Sequence, residues 1–128
     1  MLTSTYADWV IQANTKHLIS TKEFAKMKRG IVIVNTARGA VIDEAALVKA
    51  IEDGIVSSAG LDVFEEEPKI HPGLLENEKV MLLPHMGTYT VETITAMEKV
   101  VVKNIRTALL EKRLVNRVPE QQDMTYDL

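Results

Sequence analysis

The chain has 128 residues, of which 46% are hydrophobic and 26% charged, with a formal net charge of −3; this fits one soluble domain of typical size with a single core. So small a charge, with no run of about five like-charged residues, gives neither nucleic acid nor an anionic membrane an electrostatic handle. The absence of cysteine removes disulfide scaffolds, thiolate metal sites and thiol nucleophiles together.

No apolar run is long enough to cross a bilayer, and MLTSTYADWVIQ lacks the basic start and long apolar middle of a secretory signal, so the expectation is a cytoplasmic protein. The first clear signal is Ser20 followed three residues later by Glu23, a capping box that predicts a short helix with Phe24 and Met27 on its apolar face and Gly30 beyond its end. Ile31 to Val34 form an all-apolar, β-branched run between Gly30 and Asn35, predicting a strand buried on both faces in a parallel sheet. Asp43 then reads as an N-cap, with Leu47, Val48 and Ile51 along one side of a helix that stops before Gly54. Ser58 to Phe64 predict a second buried strand and Val80 to Leu83 a third, separated by a polar loop holding Pro68, Pro72 and Gly73.

From about Thr90 to Lys112, Ile94, Met97, Val101, Ile105, Ala108 and Leu109 recur at helical spacing, while Glu92, Glu98, Lys99, Lys103 and Arg106 face the other way. This predicts an amphipathic helix whose apolar stripe packs into the core. The polar stretch after Pro119 reads as a frayed tail. The pattern implies an α/β fold: part of a doubly wound, Rossmann-like parallel sheet, about three strands with flanking helices and a long C-terminal helix.

In open α/β sheets ligands bind beyond the carboxyl ends of the strands, so the residues that follow each strand carry the functional information. Arg38 follows the first strand, Asp62 and the run Glu65-Glu66-Glu67 the second, and His85 the third. Singly, each has an ordinary explanation: a solvated arginine beside a turn glycine, an acidic surface loop, a structural histidine. Together on one rim they match what reduction of a 2-keto acid needs: a forked cation for a carboxylate, a proton donor titrating near neutrality, and a carboxylate to orient that donor. His17 and His71 follow no buried strand and read as surface residues, and the three histidines lack the spacing with carboxylates that a metal site needs, so no metal is expected.

Three ordered segments, IVIVNTARGAVIDEAAL, SAGLDVFEEEP and VMLLPHMGTYTVET, resemble the D-isomer-specific 2-hydroxyacid dehydrogenases, with most similarity to the glyoxylate and hydroxypyruvate reductase branch. The resemblance runs from about Asn14 to Pro119. It implies that residues 14–119 are the C-terminal half of a dinucleotide-binding domain, preceded by a divergent segment 1–13 and followed by a polar tail 120–128.

It further implies that Arg38 binds the substrate carboxylate, that His85 is general acid in reduction and base in oxidation, and that Glu67 is the partner of His85. NAD or NADP would meet Thr36, Ala37, Arg38, Asp62, His85, Gly87 and Thr88, with Asp62 at the nicotinamide end. The implied substrate is a small 2-keto or 2-hydroxy acid. No two of the six glycines stand two residues apart, so the GxGxxG turn that seats a pyrophosphate is not in this sequence.

The chain therefore reads as a truncated oxidoreductase module, with Ile31 to Val34 left at an open sheet edge that Trp9, Val10 and Ile11 would partly cover. The alternative is an inactive remnant that binds a partner through that edge, as a homo-oligomer or with a full-length homologue. A corepressor-like relative is a weaker third reading.

Overall fold

The computed structural model describes residues 4–7, 15–118 and 124, and it divides into two units, residues 1–87 and 88–128. The first unit is built on a parallel sheet of four strands in sequence order: β1 (Ser4–Ala7), β2 (Ile31–Asn35), β3 (Val56–Leu61) and β4 (Val80–Leu82). The three strands read from the sequence are present. The fourth, β1, pairs with β2 from Ser4 opposite Val32 to Ala7 opposite Asn35. β2 is thus an inner strand, which corrects the expected open edge and removes the basis for partner binding along it. Trp9, Val10 and Ile11 lie outside the described residues, as do most of those after Val118.

Between the strands run α1 (Thr21–Phe24), a single 3-10 turn (Gly39–Val41), α2 (Glu44–Glu52) and the one-turn helix α3 (Pro72–Leu75). α1 opens on the Ser20 capping box, whose Ser20 N–H donates to Glu23 at 3.2 Å, while the Ser20 hydroxyl reaches across to Asp43 at 2.8 Å. Asp43 caps α2 by accepting the Ala46 N–H at 3.0 Å, and Gly54, at φ +68°, takes the left-handed turn beyond its end. The Ser20 hydroxyl bond to Asp43 and the Asp43 N–H bond to the Ile19 carbonyl at 3.0 Å thus tie the two helix starts together. α3 lies in the stretch read as loop: Pro72 occupies its first position, and the half-buried His71 caps it by accepting the Gly73 N–H at 3.1 Å, so His71 is more than a surface residue.

One face of the sheet carries the core, where Phe24, Leu47, Ala50, Ile51 and Leu74 from the helices meet Ile33, Val56, Ala59 and Leu61 from the strands. Burying each of the larger side chains contributes roughly 1.5–3 kcal/mol. A bulge at Ser57, whose hydroxyl donates to the carbonyls of Gly30 and Ile31, keeps Val56 on the same face as Ala59 and Leu61 despite the odd spacing. On the other face Val32, Val34, Ser58 and Gly60 are only half-buried and Met81 is exposed. The expectation that β2 is buried on both faces therefore holds for one, because the contacts of α1, α2 and α3 among the described residues serve that face alone.

The second unit contains α4 (Val91–Glu111), started by Thr90, whose hydroxyl accepts the Thr93 N–H at 3.2 Å. Its predicted stripe is present in spacing but not in burial: Ile94, Met97, Val101, Ile105 and Leu109 are exposed, at 37% to 66%, and Ala108 is half-buried, so the expected core packing is corrected. Periodicity records that a helix has an apolar face, not what lies against it. No helix among the described residues is long and apolar enough to cross a membrane.

Candidate active site

The last residues of β2, β3 and β4 lie in one row across the sheet, Asn35 opposite Leu61 and Leu61 opposite Leu82. The row continues past the strands, since the Asp62 N–H donates to the Asn35 carbonyl at 3.0 Å and the Leu83 N–H to the Leu61 carbonyl at 2.8 Å. The three loops that follow therefore leave from the same rim at the same height. In-register parallel pairing, set by the apolar runs, is what brings residues far apart in sequence to one place.

Asn35 shapes the first loop. Its side-chain oxygen accepts the Ala37 N–H at 3.1 Å and its amide donates to the Arg38 carbonyl at 2.9 Å, so one buried side chain closes the turn Thr36-Ala37-Arg38. Thr36 and Arg38 are exposed and Ala37 is buried. The Arg38 guanidinium donates to the Ala37 carbonyl at 2.6 Å. Next to it, Gly39 is packed so tightly that a β-carbon would overlap the carbonyl group of Phe64 and the nitrogen of Glu65. Only glycine allows the first loop to lie against the second in this way.

The second loop presents Glu67. Its Oε1 accepts the Phe64 N–H at 3.0 Å and its Oε2 accepts from His85 Nδ1 at 2.9 Å. The His85 hydrogen bond, the Phe64 N–H and, to a smaller extent, the Arg38 charge hold the Glu67 carboxyl below the ordinary glutamate range. Glu65 and Glu66 are turned elsewhere: the Glu65 carboxylate pairs with His17, and the Glu65 N–H donates to Glu44 Oε1 at 2.8 Å. Of the three consecutive acids, Glu67 is the one that meets His85.

The third loop presents His85 in the left-handed region at φ +55°. Such a conformation costs of order 1–3 kcal/mol outside glycine and persists only when neighbours over-determine it. Here the neighbour is Asp62, 3% exposed, whose two carboxylate oxygens accept the N–H groups of Met86 and Gly87 at 2.6 Å each. A β-carbon on Gly87 would come within 3.0 Å of Asp62 Oδ2, so glycine suits that close approach. Thr88 begins the second unit. The structure therefore brings Glu67 and His85 into contact, sets Arg38 within electrostatic reach of Glu67, and ties Asp62 to the histidine turn.

With Glu67 as acceptor, the Nδ1 of His85 carries the hydrogen, which leaves Nε2 as the nitrogen that gains or loses a proton. Beside the pair lies a cavity of about 210 Å³ lined by Phe64, Glu67, Pro68, Ile70, Pro84 and His85. A roomier cleft of about 430 Å³ is lined by Asp43, Glu44, Glu65 and Glu66 together with His17, Lys69 and His71. Three contributors were not read from the sequence: Asn35, Glu44 and Gly39 as a contact residue. An asparagine directly after an apolar run is a legible turn signal; the other two depend on a loop more than 20 residues away. Among the described residues no group of three or more histidine or acidic side chains is arranged to hold a metal ion.

Residues 9–87, more than half of the chain, match the family model of the D-isomer specific 2-hydroxyacid dehydrogenase, NAD binding domain. The 4-methyl-2-oxopentanoate reductase A of Aspergillus oryzae is 56% identical over 114 residues, which are 89% of this chain and 35% of that protein. A crystal structure of a glyoxylate reductase from Paecilomyes thermophila superposes with a TM-score of 0.83 at 56% identity, covering 90% of this chain and 35% of the other. An NADPH-dependent glyoxylate/hydroxypyruvate reductase from Sinorhizobium meliloti, in complex with NADP and malonate, superposes with a TM-score of 0.82 at 33% identity over 91% of this chain and 37% of that one. The chain spans about a third of the length of the curated relatives it matches.

Proposed function

The chain belongs to the D-isomer-specific 2-hydroxyacid dehydrogenase family, and we propose that it carries the acid–base and carboxylate-binding residues for hydride transfer between NAD or NADP and a small 2-keto or 2-hydroxy acid. The observation that carries this reading is the 2.9 Å contact between His85 Nδ1 and Glu67 Oε2, on the rim that also bears Arg38. Glyoxylate or hydroxypyruvate is the proposed substrate, supported by the names of the glyoxylate and hydroxypyruvate reductases among the similar structures.

Arg38 pairs with the substrate carboxylate through its planar fork. That engagement replaces its bond to the Ala37 carbonyl. In reduction His85, protonated on both nitrogens, donates its Nε2 proton to the carbonyl oxygen as that oxygen gains charge. Glu67 keeps the Nδ1 hydrogen in place throughout and stabilises the imidazolium form. In oxidation the same Nε2 takes the proton back. When bound, the reduced nicotinamide supplies the hydride.

The residues present suit the nicotinamide end of such a cofactor. Asp62 keeps acceptor capacity on both oxygens beyond its two backbone bonds, and Thr36, Ala37, Arg38, Gly87 and Thr88 are the proposed neighbours of the ring.

The test is a chimera in which the upstream GxGxxG half of a relative is fused before this chain. It should oxidise NADPH or NADH when glyoxylate is added, and His85→Gln should lower kcat by about 100-fold or more without loss of cofactor fluorescence. A chimera that binds the dinucleotide yet turns over neither glyoxylate nor hydroxypyruvate overturns the proposal.

A further inference from the structure

We infer that Glu44, at the start of α2, is a positioning residue for the Glu67–His85 pair, acting through the peptide that joins Phe64 to Glu65. The inference rests on the proposed proton-transfer role of that pair. Glu44 is only 8% exposed although it is a carboxylate in the first turn of a helix, where solvent normally surrounds such a group. It reaches 21 residues along the chain, and its Oε1 accepts the Glu65 N–H at 2.8 Å. A buried carboxylate directed at one loop amide costs desolvation that a merely solubilising glutamate avoids.

The amide it holds is central to the site. The Phe64–Glu65 peptide lies against Gly39 so closely that no β-carbon fits between them. The N–H of Phe64, one residue earlier, is bonded to Glu67 Oε1, and the other oxygen of that carboxylate meets His85 Nδ1. Glu44 on one bond and Gly39 by contact therefore fix the peptide from which the Glu67 turn springs. If this peptide rotates, the chain beyond Glu65 is redirected, so Glu67 moves away from the Phe64 N–H and loses the bond that aims its Oε2 at His85. The acidic run adds a second tether, since the Glu65 side chain pairs with His17, whose own N–H donates to the Ala40 carbonyl at 2.8 Å.

The test uses the 128-residue chain and needs no turnover. Histidine-ring nitrogen NMR reads which nitrogen of His85 carries the hydrogen at a pH where the ring is neutral. The wild type should hold it on Nδ1, and Glu44→Gln, which keeps an acceptor oxygen, should preserve that state. Glu44→Ala and the size-matched Glu44→Leu lack the acceptor, and they should shift His85 towards the mixed tautomers of a free imidazole while Leu47 and Ile51 methyl signals stay native.

In the chimera, the same two variants should lower kcat about ten-fold with KM changed less than two-fold. An unmoved His85 tautomer in folded Glu44→Ala or Glu44→Leu overturns the inference, as does an equal loss in Glu44→Gln. A tautomer shift in a chimera that never turns over upholds the positioning and counts against the dehydrogenase reading instead.

Discussion

Asp62→Asn isolates the force that holds His85 in place. The replacement is nearly isosteric, but both partners of the Asp62 carboxylate, the N–H groups of Met86 and Gly87, are donors at 2.6 Å. An asparagine oxygen can satisfy one of them, and its NH2 group then faces the other donor; flipping the amide only exchanges the two. The substitution therefore removes one charge-assisted hydrogen bond, worth about 1.5–3 kcal/mol, leaves that N–H unsatisfied, and weakens the other to a neutral bond. Relief of the carboxylate's desolvation offsets part of that loss, so the net cost should be about 2–4 kcal/mol.

That cost is comparable with the roughly 1–3 kcal/mol of left-handed strain at His85, so the turn should relax locally before the unit unfolds. Hydrogen exchange at Met86 and Gly87 should accelerate about 30-fold or more for a 2 kcal/mol loss, and the urea midpoint should fall with an unchanged m-value. Asp53→Asn is the control: Asp53 is an exposed partner of Lys49 at 2.7 Å, and solvent screening of that pair should leave the melt close to wild type. If Asp62→Asn costs no more than Asp53→Asn and leaves both amides protected, the clamp reasoning is wrong.

Gly39→Ala places a methyl group on the Phe64–Glu65 peptide and should cost about 3 kcal/mol or more, whereas Gly60→Ala, with nothing within 4 Å of its new carbon, should be near neutral; denaturant melts of the pair give the comparison. Asp43→Ala should lose about 0.5–2 kcal/mol from the α2 cap, with Asp43→Asn close to wild type, as measured by the same melts. Glu67 has its pKa lowered in the folded chain, chiefly by His85, so the unfolded chain binds this proton first. Its contribution to stability is present above the ordinary glutamate pKa and is lost as pH falls through the lowered folded value. A carbon-13 titration should find the Glu67 midpoint below the ordinary range and moved upward in His85→Ala; an unmoved midpoint would refute the assignment of cause.

The strands that build the rim were legible because Ile31 to Val34 and Val80 to Leu83 are apolar runs with clear punctuation, and position after a strand pointed to Arg38, His85 and an acid among Asp62 and Glu65 to Glu67; the choice of Glu67 came from the family resemblance. β1 was not legible: STYA is four residues long, and its strand character comes from pairing with β2, which no local pattern records. Glu44 and Gly39 were hidden for a related reason. One looks like an ordinary first-turn acid and the other like a turn glycine, and each takes its meaning from the Phe64–Glu65 peptide brought near by folding. The α4 stripe shows the opposite failure, in which a correct period gave a wrong environment.

Among the described residues, the bonds that hold the Glu67–His85 pair, including the His17 tether on Glu65, all arise within the first unit. The left-handed backbone of His85 is opposed by two bonds from Asp62 and one from Glu67. At about 1.5–3 kcal/mol for each hydrogen bond to a charged group, these exceed the strain before any substrate or dinucleotide arrives. The Glu67–His85 pair is thus pre-organised by its own unit, and on the proposed reading binding energy from a substrate need not be spent on assembling it. By contrast, Arg38 spends its guanidinium on a neighbouring carbonyl, a neutral partner that a carboxylate displaces readily. On the proposed reading, proton transfer is built into the fold, while recognition of the anion is left to a group that exchanges partners when the anion binds.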